Sequence, residues 1–308
     1  QMMLHDVMRT TSFDEALRQT VTPGSYVIDF GAGSGVLSIF AARHGASRVD
    51  AIERSSFVYP AREIARATGY PQIRFHHCDH EQFSSDARAD LLVSEWMGHQ
   101  LFFEAMMEPL LVIRDRWLKP EGVMVPARVS VHASLMLSDA IHEEMSFLRG
   151  NPYGIDFSCI SGAALEQTRL VSLAEDEVTT TEFHLGTLDM RTVTRTPEVM
   201  TGKATPSEPA TTYGIVAWFS AELTERIGFG TGPRDAPTHW QQVYFPFPEP
   251  FDVGPDRELT LSIWPPQGGE EDDGTWRWSI SDGEQTLSVT ERLPVHVTHQ
   301  VAKATGQL

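Results

Sequence analysis

Little in this 308-residue chain can be stapled covalently. It has two cysteines, Cys78 and Cys159. That is too few for a disulfide framework, so a reducing cytoplasm is the expected compartment. Lysine is nearly missing: it occurs only at 119, 203 and 303, and arginine supplies the rest of the 24 basic side chains. We read this bias as the imprint of a GC-rich genome. Base is scarce beside acid, 24 Lys+Arg against 42 Asp+Glu, which argues against nucleic-acid binding and favours a cationic partner or plain solubility. No apolar run reaches the ~20 residues that a membrane span needs. No basic-then-apolar signal opens the chain, and it starts at Gln1, so its start is expected to be cut away.

What is there divides into two textures. Residues 21–126 alternate short apolar runs with helical stretches. Tyr26 to Phe30, Val49 to Glu53, Ile73 to Cys78, Leu91 to Ser94 and Val123 to Val125 read as strands. Helices are expected after the first, over Pro60 to Thr68, and from Leu101 to about Trp117. Such alternation predicts an α/β, Rossmann-like, parallel doubly wound sheet. From Val129 the period becomes two, through Val131, Ala133, Leu135 and Leu137, and again in 214–220, 259–263 and 276–280. That predicts an antiparallel β-barrel or sandwich over 127–308. Residues 200–212, rich in Thr, Pro and Ser, read as a loop. Glu270 to Gly274 reads as a solvated hairpin tip, and Trp276 and Trp278 as one face of a strand.

Asp29-Phe30-Gly31-Ala32-Gly33-Ser34-Gly35 closes the first strand and opens a helix. Glycines let the backbone turn tightly and admit a ligand against the main chain. The spacing is G-x-G-x-G, without the longer gap of a dinucleotide fingerprint. Glu53, at the end of the second strand, can accept two hydrogen bonds from a ribose diol. A nucleoside without a pyrophosphate fits this pair, and S-adenosylmethionine is one.

Beyond the fourth strand runs Ser94-Glu95-Trp96-Met97-Gly98-His99-Gln100-Leu101-Phe102-Phe103-Glu104. Ligands of open parallel sheets bind at the carboxyl ends of the strands. Glu95 lies there, and a chain turned back at Gly98 could bring Glu104, placed on the following helix, beside it. Two carboxylates in apolar surroundings repel unless a cation sits between them or one is protonated. A guanidinium is a planar cation suited to bidentate carboxylates. A metal competes, but no Asp/His cluster lies near the pair. His76-His77-Cys78-Asp79-His80 matches no zinc spacing, so no metal is expected.

On these residues the chain resembles the protein arginine methyltransferase family, particularly its type I members. Ser94 to Gly98 with Glu104 is similar to the family's double-glutamate loop, and Thr238-His239-Trp240 to its threonine-histidine-tryptophan loop. Val27 to Gly35 resembles the cofactor motif, Ile52 to Ser56 the ribose-binding segment, Met3 to Thr10 the leading helix, and Asn151 to Asp156 the dimerisation arm. The resemblance runs nearly end to end. It implies a leading helical segment over 1–20, a cofactor domain over 21–126, and a β-barrel acceptor domain with an arm near 141–175. It implies a cytoplasmic homodimer that takes S-adenosylmethionine, an arginine-containing acceptor, no nucleic acid and no membrane.

The resemblance also implies roles. Glu95 and Glu104 would grip the guanidinium, with His239 paired to Asp6. Arg9 would meet the methionyl carboxylate, with Asp6, three residues before it, on the same helix face; Asp29, Gly31, Gly33 and Glu53 would lie around the cofactor and His80 and Glu81 by its adenine. Met3, Met97, Met106 and Trp240 would line the acceptor side. A protonated guanidinium has poor nucleophiles. Paired carboxylates localise its charge and align the free nitrogen, and positioning of that kind supplies at best roughly 7–11 kcal/mol.

Three departures stand out. His99 occupies the place usually held by Tyr in type I members, and Leu148 and Arg149 stand where paired tryptophans are expected. The family's residues ahead of the leading helix would fall before Gln1, where the start is expected to be cut away. The altered acceptor loop tips the expectation slightly towards free L-arginine, giving Nω-methylarginine, over arginine residues of proteins. A catalytically silent dimeric scaffold and a methyltransferase for oxygen or amine acceptors are the alternatives. Both leave the two glutamates without a purpose.

Overall fold

The computed structural model describes residues 2–157, 159–160, 168–267 and 275–292. The chain opens with α1 (Met2–His5) and α2 (Val7–Thr20). Asp6 separates them. Its backbone is extended, and its side chain accepts a hydrogen bond from the Arg9 amide as the N-cap of α2. Asp6 therefore does not share a helix face with Arg9 but caps the helix that carries it. Phe13, Ala16 and Leu17 form the buried face of α2.

Next come β1 (Tyr26–Phe30), α3 (Val36–Arg43), β2 (Arg48–Ile52), α4 (Val58–Thr68), β3 (Ile73–His76), β4 (Ala89–Val93), α5 (Met107–Trp117) and β5 (Leu118–Val125). The strands form one parallel sheet in the order β3-β2-β1-β4-β5. β1 is apolar but for Asp29 and wholly buried, as a central parallel strand between two helical layers must be. The chain runs outward from β1 to β3, then returns to β1's other side with β4. The topological switch lies between β1 and β4, and the carboxyl ends of such strands are where open α/β sheets take their ligands.

After β5 the chain forms β6 (Arg128–Leu135), α6 (Asp139–Ser146), β7 (Arg169–Val171), β8 (Phe183–Asp189), β9 (Met200–Ala204), β10 (Ala210–Glu222), β11 (Gly228–Gly230), β12 (Gln242–Val253), β13 (Leu259–Trp264), β14 (Thr275–Ser281) and β15 (Thr286–Arg292). All pairings here are antiparallel, in sheets ordered β7-β12-β10-β6-β8 and β15-β14-β13-β9, with β11 beside β10. Val129, Val131, Ala133 and Leu135 of β6 are buried, as the period of two requires. β8 and β9 approach closely: a Cβ on Gly202 would lie 2.6 Å from the His184 carbonyl oxygen.

Three expectations are corrected. The helix read from Leu101 begins at Met107, because Gln100, Leu101 and Ala105 adopt left-handed backbone (φ 48°, 72° and 50°). Residues 200–212 are not one loop: Met200–Ala204 is a strand whose Met200 and Gly202 face inward while Thr201 is exposed, and β10 begins at Ala210. Its Thr and Lys content hid the alternation. The fifth strand starts earlier than expected, at Leu118. The acidic tip at Glu270 to Gly274 lies outside the described residues. Trp276 and Trp278 do share the buried face of β14.

α2 ties the two parts together, since the Phe13 ring meets Phe229 of β11 at 6.4 Å between centroids. Phe13 is fully buried. Phe13→Ala should cost about 3–5 kcal/mol, the usual loss for a large buried ring. Equilibrium urea unfolding measures it, and a loss under about 1 kcal/mol would show that α2 is not an integral part of the core.

Candidate active site

The glycine turn sits where β1 meets α3. Gly31, Gly33 and Gly35 all have positive φ (73°, 51° and 76°), and the amides of Gly31 and Ala32 are tied back to the Ile52 carbonyl. Asp29 is fully buried. Its Oδ2 accepts from Ser38 on α3 at 2.6 Å, and its Oδ1 has no partner. Burial pushes this carboxyl up to about 6, with the Ser38 bonds opposing. Glu53 follows β2. One of its oxygens accepts the Gly33 amide at 2.9 Å and the other the Ser55 amide at 2.7 Å. The carboxylate thus sets the turn's shape, and each oxygen keeps a lone pair for a further donor.

His80 and Glu81 follow β3, on the same side of the sheet as Glu53. His80 is paired with Asp79 and Glu81 is exposed. The neighbouring histidines go elsewhere: His76 bonds Asp50, while His77 bonds the Arg54 carbonyl and meets the Tyr59 ring. Among the described residues no group of three or more His, Cys, Asp or Glu side chains could hold a metal.

The loop after β4 carries both glutamates. A two-way bridge between Gly98 and Leu101 turns it back on itself. Gly98 is required here, because a Cβ would lie 2.8 Å from the Glu104 amide nitrogen and 2.9 Å from its Cγ. Phe102 and Phe103 fasten the returning limb to Trp276 of the barrel, at ring separations of 6.4 and 4.9 Å. Glu95 is buried, and its Oε2 accepts from the Arg9 guanidinium at 2.8 Å, with both side chains about 5% exposed. Burial pushes Glu95 up to about 8; Arg9 opposes this and the like charge of Glu104 adds to it. Glu104 keeps part of its surface open to water yet is crowded by surrounding protein. That crowding pushes it up to about 6, with Arg54 opposing. The wetter carboxylate has the smaller shift.

A second loop meets this one from the barrel. His239 donates its backbone N–H to Asp6 Oδ2 at 2.9 Å, and its Nδ1 lies 2.8 Å from the same oxygen. Burial of Asp6 works to raise its pKa and is outweighed by the hydrogen bonds from Arg9 and His239, which leave it below the usual carboxylate range. Burial lowers His239, with Asp6 opposing. Trp240 is buried, stacked on Phe229 at 13° and donating its indole N–H to the Met97 carbonyl at 2.7 Å. Met97 is buried, and the Met106 methyl lies where a Cβ on Gly31 would be, 2.8 Å away. Met3 is different: it is half exposed on α1. An open groove of about 670 Å³ flanks the Asp6–His239 pair, lined by Met8, Thr11 and Thr238 among others.

Glu95, Arg9, Asp6, His239, Trp240 and Met97 are therefore one connected set. Sequence reasoning gave no role to His99, Gln100, Arg54 or the Thr238 hydroxyl. Gln100 is buried with both amide atoms unpartnered, as are the Thr238 hydroxyl and two nitrogens of Arg9, Nε and Nη1. Buried polar groups without partners are rare in folded chains, and these lie on α2, on the loop of the two glutamates and beside His239. A polar residue inside the apolar stretch Trp96 to Phe103 was the one signal for Gln100.

Comparison with known proteins gives the same outline. The family model described as the arginine methyltransferase oligomerization subdomain matches residues 127–282, and a methyltransferase-domain model matches residues 22–185. Protein arginine N-methyltransferase 1 of Saccharomyces cerevisiae is 32% identical over 82% of this chain and 75% of its own length. Protein arginine N-methyltransferase 1.1 of Arabidopsis thaliana is 30% identical over 78% of this chain and 64% of its own. The chain spans about 64–65% of the length of this relative and of its rice counterparts. Among solved structures, the Trypanosoma brucei PRMT1 enzyme–prozyme complex with AdoHcy superposes with a TM-score of 0.86 at 24% identity, covering 95% of this chain and 97% of that one. Arabidopsis thaliana protein arginine methyltransferase 10 gives 0.79 at 22% identity, over 94% and 95%. At these identities the structures speak for the fold: a Rossmann-like parallel sheet followed by an antiparallel β domain.

The raised Glu104 carboxyl has a thermodynamic consequence. The folded chain holds this proton when the unfolded chain has released it. Folding stability is therefore fully present below about 4.5 and falls as pH rises towards about 6. Glu104→Gln should raise Tm relative to the parent at neutral pH and change it little at about pH 4. Thermal melts at the two pH values measure this, and an equal shift at both would remove burial as the cause.

Proposed function

The chain belongs to the protein arginine N-methyltransferase family, and from that premise we propose that it transfers a methyl group from S-adenosylmethionine to a terminal guanidino nitrogen of arginine. The observation that carries this reading is the pair Glu95 and Glu104, two carboxylates on one turned-back loop that both feel burial, one of which already binds a guanidinium, that of Arg9.

The crevice residues fit the cofactor. Arg9 Nε and Nη1, buried and unpartnered, suit a carboxylate such as the methionyl end. Glu53 retains lone pairs for a ribose diol, and the positive-φ glycines leave the backbone bare beside it. Asp29 shapes the turn, while His80 and Glu81 stand at the end of β3 for the adenine. When bound, S-adenosylmethionine supplies an electrophilic methyl on a sulfonium. Glu95 and Glu104 hold the acceptor guanidinium, localise its charge on the nitrogens they touch, and leave lone-pair density on the remaining one. His239, kept neutral by burial and oriented by Asp6, stands ready to take the proton released, as does Glu104. Met3, Met97, Met106 and Trp240 would line the acceptor side, and monomethylarginine is the first product.

The acceptor we favour is an arginine side chain of a protein. The slight preference for free arginine rested on the altered loop and on the composition of a GC-rich genome. The curated relatives are named for protein substrates, and the open groove beside Asp6 and His239 has room for a polypeptide. In assays with labelled methyl donor, an Arg-Gly-rich peptide should be methylated and lysine refused, because an ammonium offers no planar fork. Glu95→Gln and Glu104→Gln should each lose roughly 10²–10³-fold in kcat, the scale of one lost electrostatic stabiliser. Binding of S-adenosylmethionine should survive in both. Near-parental turnover by Glu104→Gln would break the clamp, and methylation of free arginine in preference to the peptide would restore the earlier reading of the acceptor.

We also propose a homodimer, acting in the cytoplasm. Among the described residues no helix is long and apolar enough to cross a membrane. The segment from α6 to residue 160 exposes Phe147, Tyr153 and Ile155, and α4 with the turn before it exposes Phe57, Tyr59 and Ile64. A second copy would cover both patches by a twofold exchange. Sedimentation of the parent should give a dimer at micromolar concentration, and Tyr153→Asp with Ile155→Asp should give monomers. A monomeric parent would overturn the proposal.

A further inference from the structure

The loop with the two glutamates and the loop with His239 are held to each other by two bonds of opposite direction. Trp240 donates its indole N–H to the Met97 carbonyl at 2.7 Å. His99 Nδ1 lies 2.8 Å from the Trp240 carbonyl. A carbonyl only accepts, so His99 carries its proton on Nδ1 and donates it. Met97, His99 and Trp240 thus close a small ring across the junction of sheet and barrel. On the reading of the chain as an arginine methyltransferase, we infer that His99 is a positioning residue for the acceptor, fixing the Glu95–Glu104 loop against the His239 loop through the Trp240 carbonyl.

Four observations converge on this. The His99 ring is half-buried, and burial lowers its pKa with only the Trp240 bond opposing, which favours the neutral ring that donates from Nδ1. It is therefore a steady donor and not an alternating charge. Both loops are strained. Gln100, Leu101 and Ala105 on one side and Gln241 (φ 55°) on the other hold left-handed backbone without being glycine, and such conformations persist only where neighbours over-determine them. The transmission is stiff as well. His99 follows Gly98, which has no room for a Cβ against the backbone of Glu104, so a displacement at 99 reaches Glu104 directly. Finally, the anchor is rigid: Trp240 stacks on Phe229 and meets Phe219 edge-on at 5.2 Å. The loop has a second attachment in Phe102 and Phe103 on Trp276. Loss of His99 should therefore leave the loop folded and misalign what it carries.

His99→Phe keeps the ring and removes the donor. His99→Asn places an amide N–H near the position of Nδ1. In the full chain with an Arg-Gly-rich peptide, His99→Phe should lower kcat about 10–100-fold, the scale of a small misplacement of reacting groups. Its Tm and its calorimetric affinity for S-adenosylmethionine should stay near those of the parent, and His99→Asn should recover most of the rate. Parental kcat in the Phe variant, equal losses in Tm and cofactor affinity, or an Asn variant no better than Phe would each overturn the assignment. A readout independent of catalysis separates this from failure of the proposed activity: the imidazole ¹⁵N spectrum should show one tautomer for His99, protonated at Nδ1. A parent that methylates no arginine defeats the activity. An Nε2-protonated His99 defeats the staple.

Discussion

One carboxylate holds the crevice together. Asp6 Oδ1 accepts the amide of Arg9, and Asp6 Oδ2 accepts both the amide and the ring nitrogen of His239, 233 residues away in the chain. The first bond starts α2 and so directs Arg9 towards Glu95. The second draws the barrel loop down upon the Rossmann-like sheet. From His239 the connection continues through Trp240 to Met97 and His99 and so returns to Glu95. Hydrogen bonds to a charged group are worth about 1.5–3 kcal/mol each, and here three converge on one side chain.

That circuit makes possible what an isolated loop could not sustain. Two carboxylates share a crevice where burial raises both, and the loop between them bends through residues whose backbone is strained. Each strained left-handed residue costs on the order of 1 kcal/mol or more. The cost is offset by packing at a distance, in Phe102 and Phe103 against Trp276 and in Trp240 against Phe229. The orphaned groups of Arg9, Gln100 and Thr238 belong to the same pattern: the core excludes water from them and the fold supplies no partner. Binding a cation and a zwitterionic nucleoside would satisfy charges that the protein alone leaves in excess.

Much of this was legible before any coordinates. The switch from strand-helix alternation to a period of two after Pro126 marks the passage from parallel sheet to antiparallel barrel. The Gly31 turn and Glu53 fall at adjacent strand ends, as their positions in the sequence suggested. Other features were not. Residues 101–106 read as the start of a helix because Leu101, Phe102 and Phe103 are apolar, whereas the rings of Phe102 and Phe103 answer to Trp276, which is remote in sequence. Met200–Ala204 read as loop because its outward residues are polar. Asp6 looked like a residue on a helix face, because nothing local shows that an aspartate three before an arginine caps the helix instead of lying on it.

The order of residues alone makes the available chemistry readable: a nucleoside-type turn, two glutamates in an apolar loop, and a histidine between threonine and tryptophan. Those are matters of residue type and short spacing, which local order can record. It took the folded chain to show that Arg9 faces Glu95, that the His239 amide as well as its ring meets Asp6, that the Trp240 carbonyl is met by His99, and that Gln100 is buried without a partner. Each of those depends on pieces of chain 86 to 233 residues apart, or on the dry crevice they enclose. Pairing and burial over such distances arise when sheet and barrel pack, and neither residue type nor spacing encodes them.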